Sequence, residues 1–329
     1  MAVNDAGSDA GDDTGDDAGR LRVVDLTGDL GRYATKLLVE LGCDVVRISS
    51  TGDRGHPMSD HAADRFGGVL DWWYDAGKRS LPLDLDDPGD RDTYRGLVGR
   101  ADLVVETTAP GWLARRGIDH DSLVGDHPEL VQVSLTPFGR TGPRAGWQAG
   151  DLVLGALGGV LSVTGTADRP LTTWGRQCHN LAGLHAALFG LVAALAARRT
   201  GHGAHVDVSA QQVVASCLEH VLMQYTFDDV LETPAVAVRQ GSRHWRGALE
   251  IAPCRDGYAV ISAAPLADDL LAWLADDGFP EAADFIGERT RERIGEVMSL
   301  VRAFAGTQDV DHFWRESQRR GTAAAEVLD

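Results

Sequence analysis

GRQCHNLAGLHAALFGLVAALAARRTGHGAHVDVS, residues 175–209, opens with a small-residue turn and runs into a helix that is apolar almost all round. A helix with so little polar surface belongs inside a molecule. It ends in the basic pair Arg198-Arg199, which suits a helix C-terminus. The Gly201-His202-Gly203 turn stops it, and AHVDVS follows as a short strand of alternating pattern.

Outward from this segment the same alternation recurs. LRVVDL, RYATKLLVELG and CDVVRIS, within residues 21–50, read as strand, helix and strand. That is a βαβ unit, which requires a parallel strand pair and a right-handed crossover. KRSLPLDL, DPGDRDTYRGLVGRA and DLVVETT repeat the order. GWLARRGID and HDSLVGDHP suggest short helices, and LVQVSLTPFG a further strand. DLVLGALGGVLSVTG, residues 151–165, reads as a tightly packed helix with a turn, and residues 210–232 as another helix. After a linker over 226–240, APCRDGYAVISAA reads as a hairpin turning at Asp256-Gly257, and the remainder from Leu266 to about Arg320 is helical by pattern. The expectation is an α/β fold: a Rossmann-like large domain with a parallel sheet over 21–225, and a smaller α+β domain over 241–329. The GDLG turn at 28–31 is no G-x-G-x-x-G fingerprint, so a nicotinamide site is not indicated.

The 329 residues are enough for two modest domains with a core. The formal charge is −18, and six acids fall in residues 1–19, which hold no Lys or Arg. That Gly/Ala/Asp-rich stretch has no core-forming pattern and reads as a disordered acidic tail over 1–20. The acidic balance argues against nucleic acid or an anionic membrane as partner. The N-terminus lacks the basic and apolar regions of a signal peptide, and no stretch of 18 apolar residues is free of polar interruption as a membrane span requires, so a cytoplasmic location is expected. Cys43, Cys178, Cys217 and Cys254 form no CxxC pair. The eleven histidines show no HxxxH or HxH spacing with an acidic or Cys ligand nearby, so no metal site is expected.

Several segments together resemble the class III CoA-transferases, the CaiB/BaiF family. LRVVDLTGDLGRYATKLLVELGCDVVRIS resembles its opening βαβ unit, AGKRSLPLDL its Asn-Lys-Arg-Ser strand, and SLTPFGRTGP its Gly-Phe-Gly-x-x-Gly-Pro turn. GRQCHNLAGLHAALFGLVAAL resembles its signature segment, and PCRDGYAVIS its small-domain hairpin. The resemblance implies a Rossmann-like large domain built from both ends of the chain, a small domain, and two chains linked like rings. The sequence reaches GTAAAEVLD about where the family's small domain hands back to the large one, so the returning segment is expected to be missing. On that expectation the chain is a piece of a split or longer polypeptide, or a short paralogue.

In the family an Asp attacks an acyl-CoA carbonyl, giving an acyl-aspartyl anhydride. CoA thiolate then yields an aspartyl-CoA thioester, and the incoming carboxylate reverses the sequence. Counting four back from Gly183 places His179 at the position of that Asp. An imidazole forms neither the anhydride nor the thioester. It can form an acyl-imidazole or act as a base, or it marks a lost active site. Cys178 is either a nucleophile beside a His or a buried, inert thiol. Asn180 is a poor nucleophile. The racemase branch of the family pairs a His with an Asp. Here the first position is Gly150, followed by Asp151, and the second is His179. Asp151 reads as a cap for the helix that follows it.

By motif position Leu83, Thr107, Thr108 and Arg115 fall where the family contacts the adenine, ribose and phosphates of coenzyme A, with Arg47 and Arg79 as further basic candidates. Gly28 and Gly31 in the first turn would let backbone approach a ligand. GSRHWRG, residues 241–247, stands where the family has a glycine loop over its active site. Three functions follow. The chain is a degenerate transferase subunit that acts on an acyl-CoA and a carboxylic acid with an Asp-bearing homologous partner, as a homodimer or heterodimer. Or it is an altered acyl-CoA hydrolase or racemase-like enzyme using His179. Or it is a non-catalytic CoA-binding scaffold.

Overall fold

The structure, a computed structural model, describes residues 20–49, 68–165, 168–227, 249–262, 268–287 and 293–328. The acidic stretch 1–19, most of the 226–240 linker and the 241–247 loop lie outside them. The chain packs as two units. One draws on Met1–Leu161 and Thr172–Glu219, the other on Ser162–Leu171 and His220–Asp329.

The first unit alternates strand and helix: β1 (Arg22–Leu26), α1 (Arg32–Glu40), β2 (Asp44–Ser49), α2 (Val69–Asp75), β3 (Arg79–Pro82), α3 (Pro88–Val98), β4 (Leu103–Glu106), the one-turn α4 (His120–Leu123), β5 (Val131–Thr136) and α5 (Asp151–Leu157). After the short α6 (Val160–Val163) come α7 (Gln177–Thr200), β6 (Ala204–Ser209) and α8 (Ala210–Ser216). Local chemistry sets these limits. Asp87 caps α3 by accepting from the N–H groups of Gly89 and Asp90, and Pro88 occupies the first helical position, where no donor is needed.

The strands pair in the order β3-β2-β1-β4-β5-β6, every pair parallel. Helices cover both faces, as a parallel sheet requires. Val23, Val45, Leu103, Val105 and Val133 pack in one core with Ala34 and Leu38 of α1 and the alanines of α7. The alternate positions Val24, Ile48 and Val104 pack with Tyr94 and Val98 of α3 and with Leu113 and Ile118. Burying a side chain such as Leu103, fully enclosed here, contributes about 1.5–3 kcal/mol.

α7 departs from the expectation of an enclosed helix. Beyond its first turn the buried positions are small: Ala182, Gly183, Ala186, Ala187, Gly190, Ala194 and Ala197. Its large residues face outward, with Leu184 48% exposed, Leu188 52%, Val192 57% and Leu195 49%. Small inward residues bring the axis close to the sheet and to α1. At Gly183 a Cβ would lie 2.9 Å from the Ala34 backbone nitrogen, so that contact requires glycine. α7 is the helix among the described residues long and apolar enough to cross a membrane, yet its small-residue face is packed in the sheet core.

The second unit has α9 (Glu219–Thr226), β7 (Leu249–Pro253), β8 (Tyr258–Ser262), α10 (Asp268–Asp276), a 3-10 turn (Pro280–Phe285), α11 (Ile294–Ala305), α12 (Val310–Arg319) and β9 (Ala323–Glu326). Its sheet is antiparallel, ordered β7-β8-β9. The expected hairpin closes with Cys254 N–H donating to Gly257 O at 2.9 Å. Ile261, Leu270, Leu274, Val301, Phe304 and Phe313 form its core. Three features differ from the pattern reading. β9 adds a strand beyond the helical run. The helix expected over 210–232 breaks at Cys217 into α8 and α9. Ser162–Leu171 packs with the second unit although it lies within the first domain by sequence.

Candidate functional site

Strand order reverses direction between β1 and β4, so the crevice outside their carboxyl ends is the topological switch point, where open parallel sheets bind ligands. Two predicted segments meet there. Gly28 N–H, in the turn after β1, donates to Thr107 Oγ1, just after β4, at 2.7 Å. At Gly31 a Cβ would stand 2.7 Å from Thr107 Cγ2 and 2.8 Å from Thr27 Cγ2, so only glycine lets the two turns close. Thr108 donates through its N–H and its hydroxyl to Glu106 Oε2, both at 2.6 Å.

The N-terminus of α7 lies at this same edge. Arg176 Nη1 is 3.4 Å from Asp29 Oδ2, and Tyr74 OH donates to Asn180 Oδ1 at 3.2 Å. His179 is the third residue of α7 and is buried, 6% exposed. Its backbone N–H donates to Asp151 Oδ1 at 2.9 Å. Asp151 was expected to cap its own helix. Gly150 holds the N-cap position of α5 instead, and the Asp151 carboxylate satisfies an amide in the first turn of α7. Cys178 is 4% exposed, and burial, with the charge and hydrogen bond of Asp151, pushes its thiol up to about 11. Such a thiol is a poor nucleophile at neutral pH, which favours the inert reading of Cys178.

The predicted basic residues divide by partner. Arg47 Nη1 is 2.9 Å from Asp75 Oδ1. Arg79 is held at Asp44, the first residue of β2, with Nε 3.1 Å from Oδ1. Both are thus committed to carboxylates. Leu83 is 6% exposed and sits in the core shared with Ile48 and Tyr94. Arg115 differs. It is exposed, and among the described residues its guanidinium has no acidic partner. Gly111 lies against Arg115 Nη1, so this cation stands beside the segment that follows Thr108.

A buried charge network underlies the crevice. Lys78 Nζ donates to Asp25 Oδ2 at 2.9 Å, with side chains 1% and 0% exposed, and to Thr35 Oγ1 and Asp75 Oδ1 at 2.8 and 3.0 Å. Asp25 Oδ1 also accepts from Thr27 N–H and Oγ1 at 2.9 and 2.7 Å, which fixes the turn leading to Gly28. Asp75 takes Arg32 and Arg47 as well. Burial alone would raise its pKa, but Arg47, Lys78 and Arg32 outweigh that and hold it below the usual carboxylate range.

A shallow recess no roomier than a water molecule opens beside the crevice, lined by Glu106, Thr108, Gly111, Asp119, Gln132 and Arg140 among others. Glu106 is 3% exposed, and burial holds its carboxyl above the ordinary value against the hydrogen bonds of Ser134 and Thr108. Sequence reasoning missed it. The available signal was an acid ending an otherwise apolar strand, LVVE, directly before Thr107-Thr108. The crevice thus offers turn backbone, hydroxyls, one uncommitted guanidinium and a polar recess. Together these suit a ligand with anionic and hydrogen-bonding groups.

The sequence model described as CoA-transferase family III matches residues 20–329. A succinyl-CoA:(R)-benzylsuccinate CoA-transferase subunit from Thauera aromatica is 35% identical over 249 residues, 74% of this chain and 59% of its own. A succinyl-CoA:mesaconate CoA-transferase from Haloarcula hispanica is 36% identical over 255 residues, 74% of this chain and 63% of its own. The chain therefore spans about three fifths of the length of these curated relatives. The crystal structure of a CaiB/BaiF family protein from Brucella suis superposes with a TM-score of 0.74 at 25% identity, covering 94% of this chain and 83% of that one.

Proposed function

The chain belongs to CoA-transferase family III, and we propose that it binds an acyl-CoA and takes part in moving CoA between a thioester and a carboxylic acid as a degenerate subunit. A homologous chain carrying an Asp at the signature position would supply the relay carboxylate. The relatives' names support the reaction class: two are succinyl-CoA-dependent CoA-transferases, and one of these is named as a subunit.

The observation that carries the reading is His179. It takes the place of the family's Asp by motif, it is buried at the third position of α7, and its amide is held by Asp151. An imidazole there cannot hold the acyl group as an anhydride and the CoA as a thioester in turn. The CoA-binding half of the site has more support. Gly28, Gly31, Thr107 and Thr108 line the crevice, and Arg115 is a cation available to a phosphate. Leu83, Arg47 and Arg79 would act by shaping the site rather than by contacting the ligand, given their burial and ion pairs. The outward Leu184, Leu188, Val192 and Leu195 of α7 give an apolar face suited to a homologous partner chain.

The test is CoA exchange from a panel of acyl-CoA thioesters, measured for this chain alone and with an Asp-bearing homologue encoded beside it. Exchange by the pair alone is the expected result. Turnover by the isolated chain that disappears in His179→Ala would establish the altered enzyme instead. CoA binding without turnover in any combination would establish the scaffold.

A further inference from the structure

Two strands away from the switch point, the sheet brings together side chains that are far apart in sequence. His120 and Asp121 open α4, and His205 lies on β6. One ligand-type atom from each lies within 4.8 Å of the others, and the two imidazole rings are 5.1 Å apart. We propose that His120, Asp121 and His205 form a site for a divalent transition metal of the zinc class, with Arg140 as the resident cation that the metal displaces.

Three observations carry this. His120 is 9% exposed, and its Nε2 is enclosed with no hydrogen-bond partner among the described residues. A buried ring nitrogen without a partner is a destabilising feature that a metal bond would remove. Its Nδ1 lies 3.5 Å from Asp121 Oδ1, so the carboxylate stands at the other ring nitrogen and must turn to share a metal with Nε2.

His205 sits between Ser134 and Arg140. Ser134 Oγ lies 2.8 Å from Nε2. Arg140 Nη1 stands 2.8 Å from Nδ1 and 3.1 Å from Nε2. One guanidinium nitrogen this close to both ring nitrogens does not lie along either in-plane lone pair. With Ser134 Oγ accepting from Nε2–H, Nδ1 would be the ligating nitrogen and Ser134 the outer partner that fixes its tautomer.

The charge balance also fits. Asp207 accepts the Arg140 backbone N–H at 3.0 Å, which holds the loop in place when the Arg140 side chain leaves. Arg140 also lines the neighbouring recess together with Glu106 and Asp119, so a displaced guanidinium has carboxylates to turn toward. Ligand atoms in a tetrahedral zinc site stand about 3.4 Å apart, from bond lengths of about 2.1 Å. Asp121 can close the difference, because its side chain is 83% exposed and able to rotate. Two imidazoles and one carboxylate, completed by water, select zinc, cobalt or nickel over magnesium or calcium.

The experiment is a titration of the chelator-treated full chain with Co²⁺, followed by visible absorption, with Zn²⁺ as competitor. The expected result is an intense tetrahedral band saturating at one equivalent and lost on adding Zn²⁺. Asp121→Asn, at an exposed position, weakens binding about tenfold or more. Arg140→Gln tightens it, and the His120→Ala, His205→Ala double variant abolishes it. If circular dichroism shows that the double variant is unfolded, the opposite shifts of the two single variants decide. Absence of a band at one equivalent, or one midpoint shared by wild type, Asp121→Asn and Arg140→Gln, would overturn the site.

Discussion

The backbone N–H of His179 donates to the carboxylate of Asp151, 28 residues earlier, at 2.9 Å. One side chain from α5 therefore holds the first turn of α7, whose own N-cap residue, Arg176, makes no side-chain cap. Replacing Asp151 with Ala leaves that amide without its acceptor. The expected loss is about 1 kcal/mol of stability, with a smaller loss for Asn, which keeps an acceptor oxygen. Urea unfolding followed by tryptophan fluorescence measures it, and an unchanged midpoint in Asp151→Ala would refute the capping role.

Acid stability depends on Asp75. Arg47, Lys78 and Arg32 outweigh burial and hold its carboxyl below the usual carboxylate range. A depressed carboxylate gives its full stabilisation above its unfolded value and loses it as pH falls toward the folded one. Thermal midpoints measured between about pH 5 and pH 2 fall less steeply in Asp75→Asn than in the wild type. Parallel curves would show that the Asp75 ion pairs contribute nothing.

Cysteine labelling separates the two readings of Cys178. With a thiol pushed up to about 11, only about one molecule in a thousand carries the thiolate at pH 8. Iodoacetamide modifies the exposed Cys217 first and Cys178 only after unfolding, as read by peptide mass spectrometry. Labelling of both at similar rates in the native protein would make Cys178 a reactive group.

Gly183 fixes how closely α7 approaches α1. A Cβ there lies 2.9 Å from Ala34 N and 3.0 Å from Tyr33 Cβ. Gly183→Ala gains about 1 kcal/mol of helix propensity, and overpacking costs about 1–3 kcal/mol. A lower unfolding midpoint is expected, and a raised one would show that the helices can separate freely.

The α/β architecture is legible in the chain because each strand and helix has its own period, and the alternation LRVVDL, RYATKLLVELG, CDVVRIS survives folding as β1, α1 and β2. The meeting of Gly28 with Thr107 is legible only through motif order, since 79 residues separate them. The commitments of Arg47 to Asp75 and of Arg79 to Asp44 leave no local trace, because they span 28 and 35 residues of chain. The same limit hid the His120–His205 cluster, which only the pairing of β6 with β5 creates. α7 misleads for another reason. Its period shows that it is apolar, but not that its small side chains point in and its large ones out.

The central claim is that this chain holds CoA and a homologous chain holds the acyl group. The most direct measurement is to incubate the pair with an acyl-CoA carrying a labelled acyl group, quench it rapidly in acid, and locate the labelled acyl group by peptide mass spectrometry. The account predicts modification of the partner's signature Asp and none on this chain. An adduct on His179, or on any other residue of this chain, would contradict it.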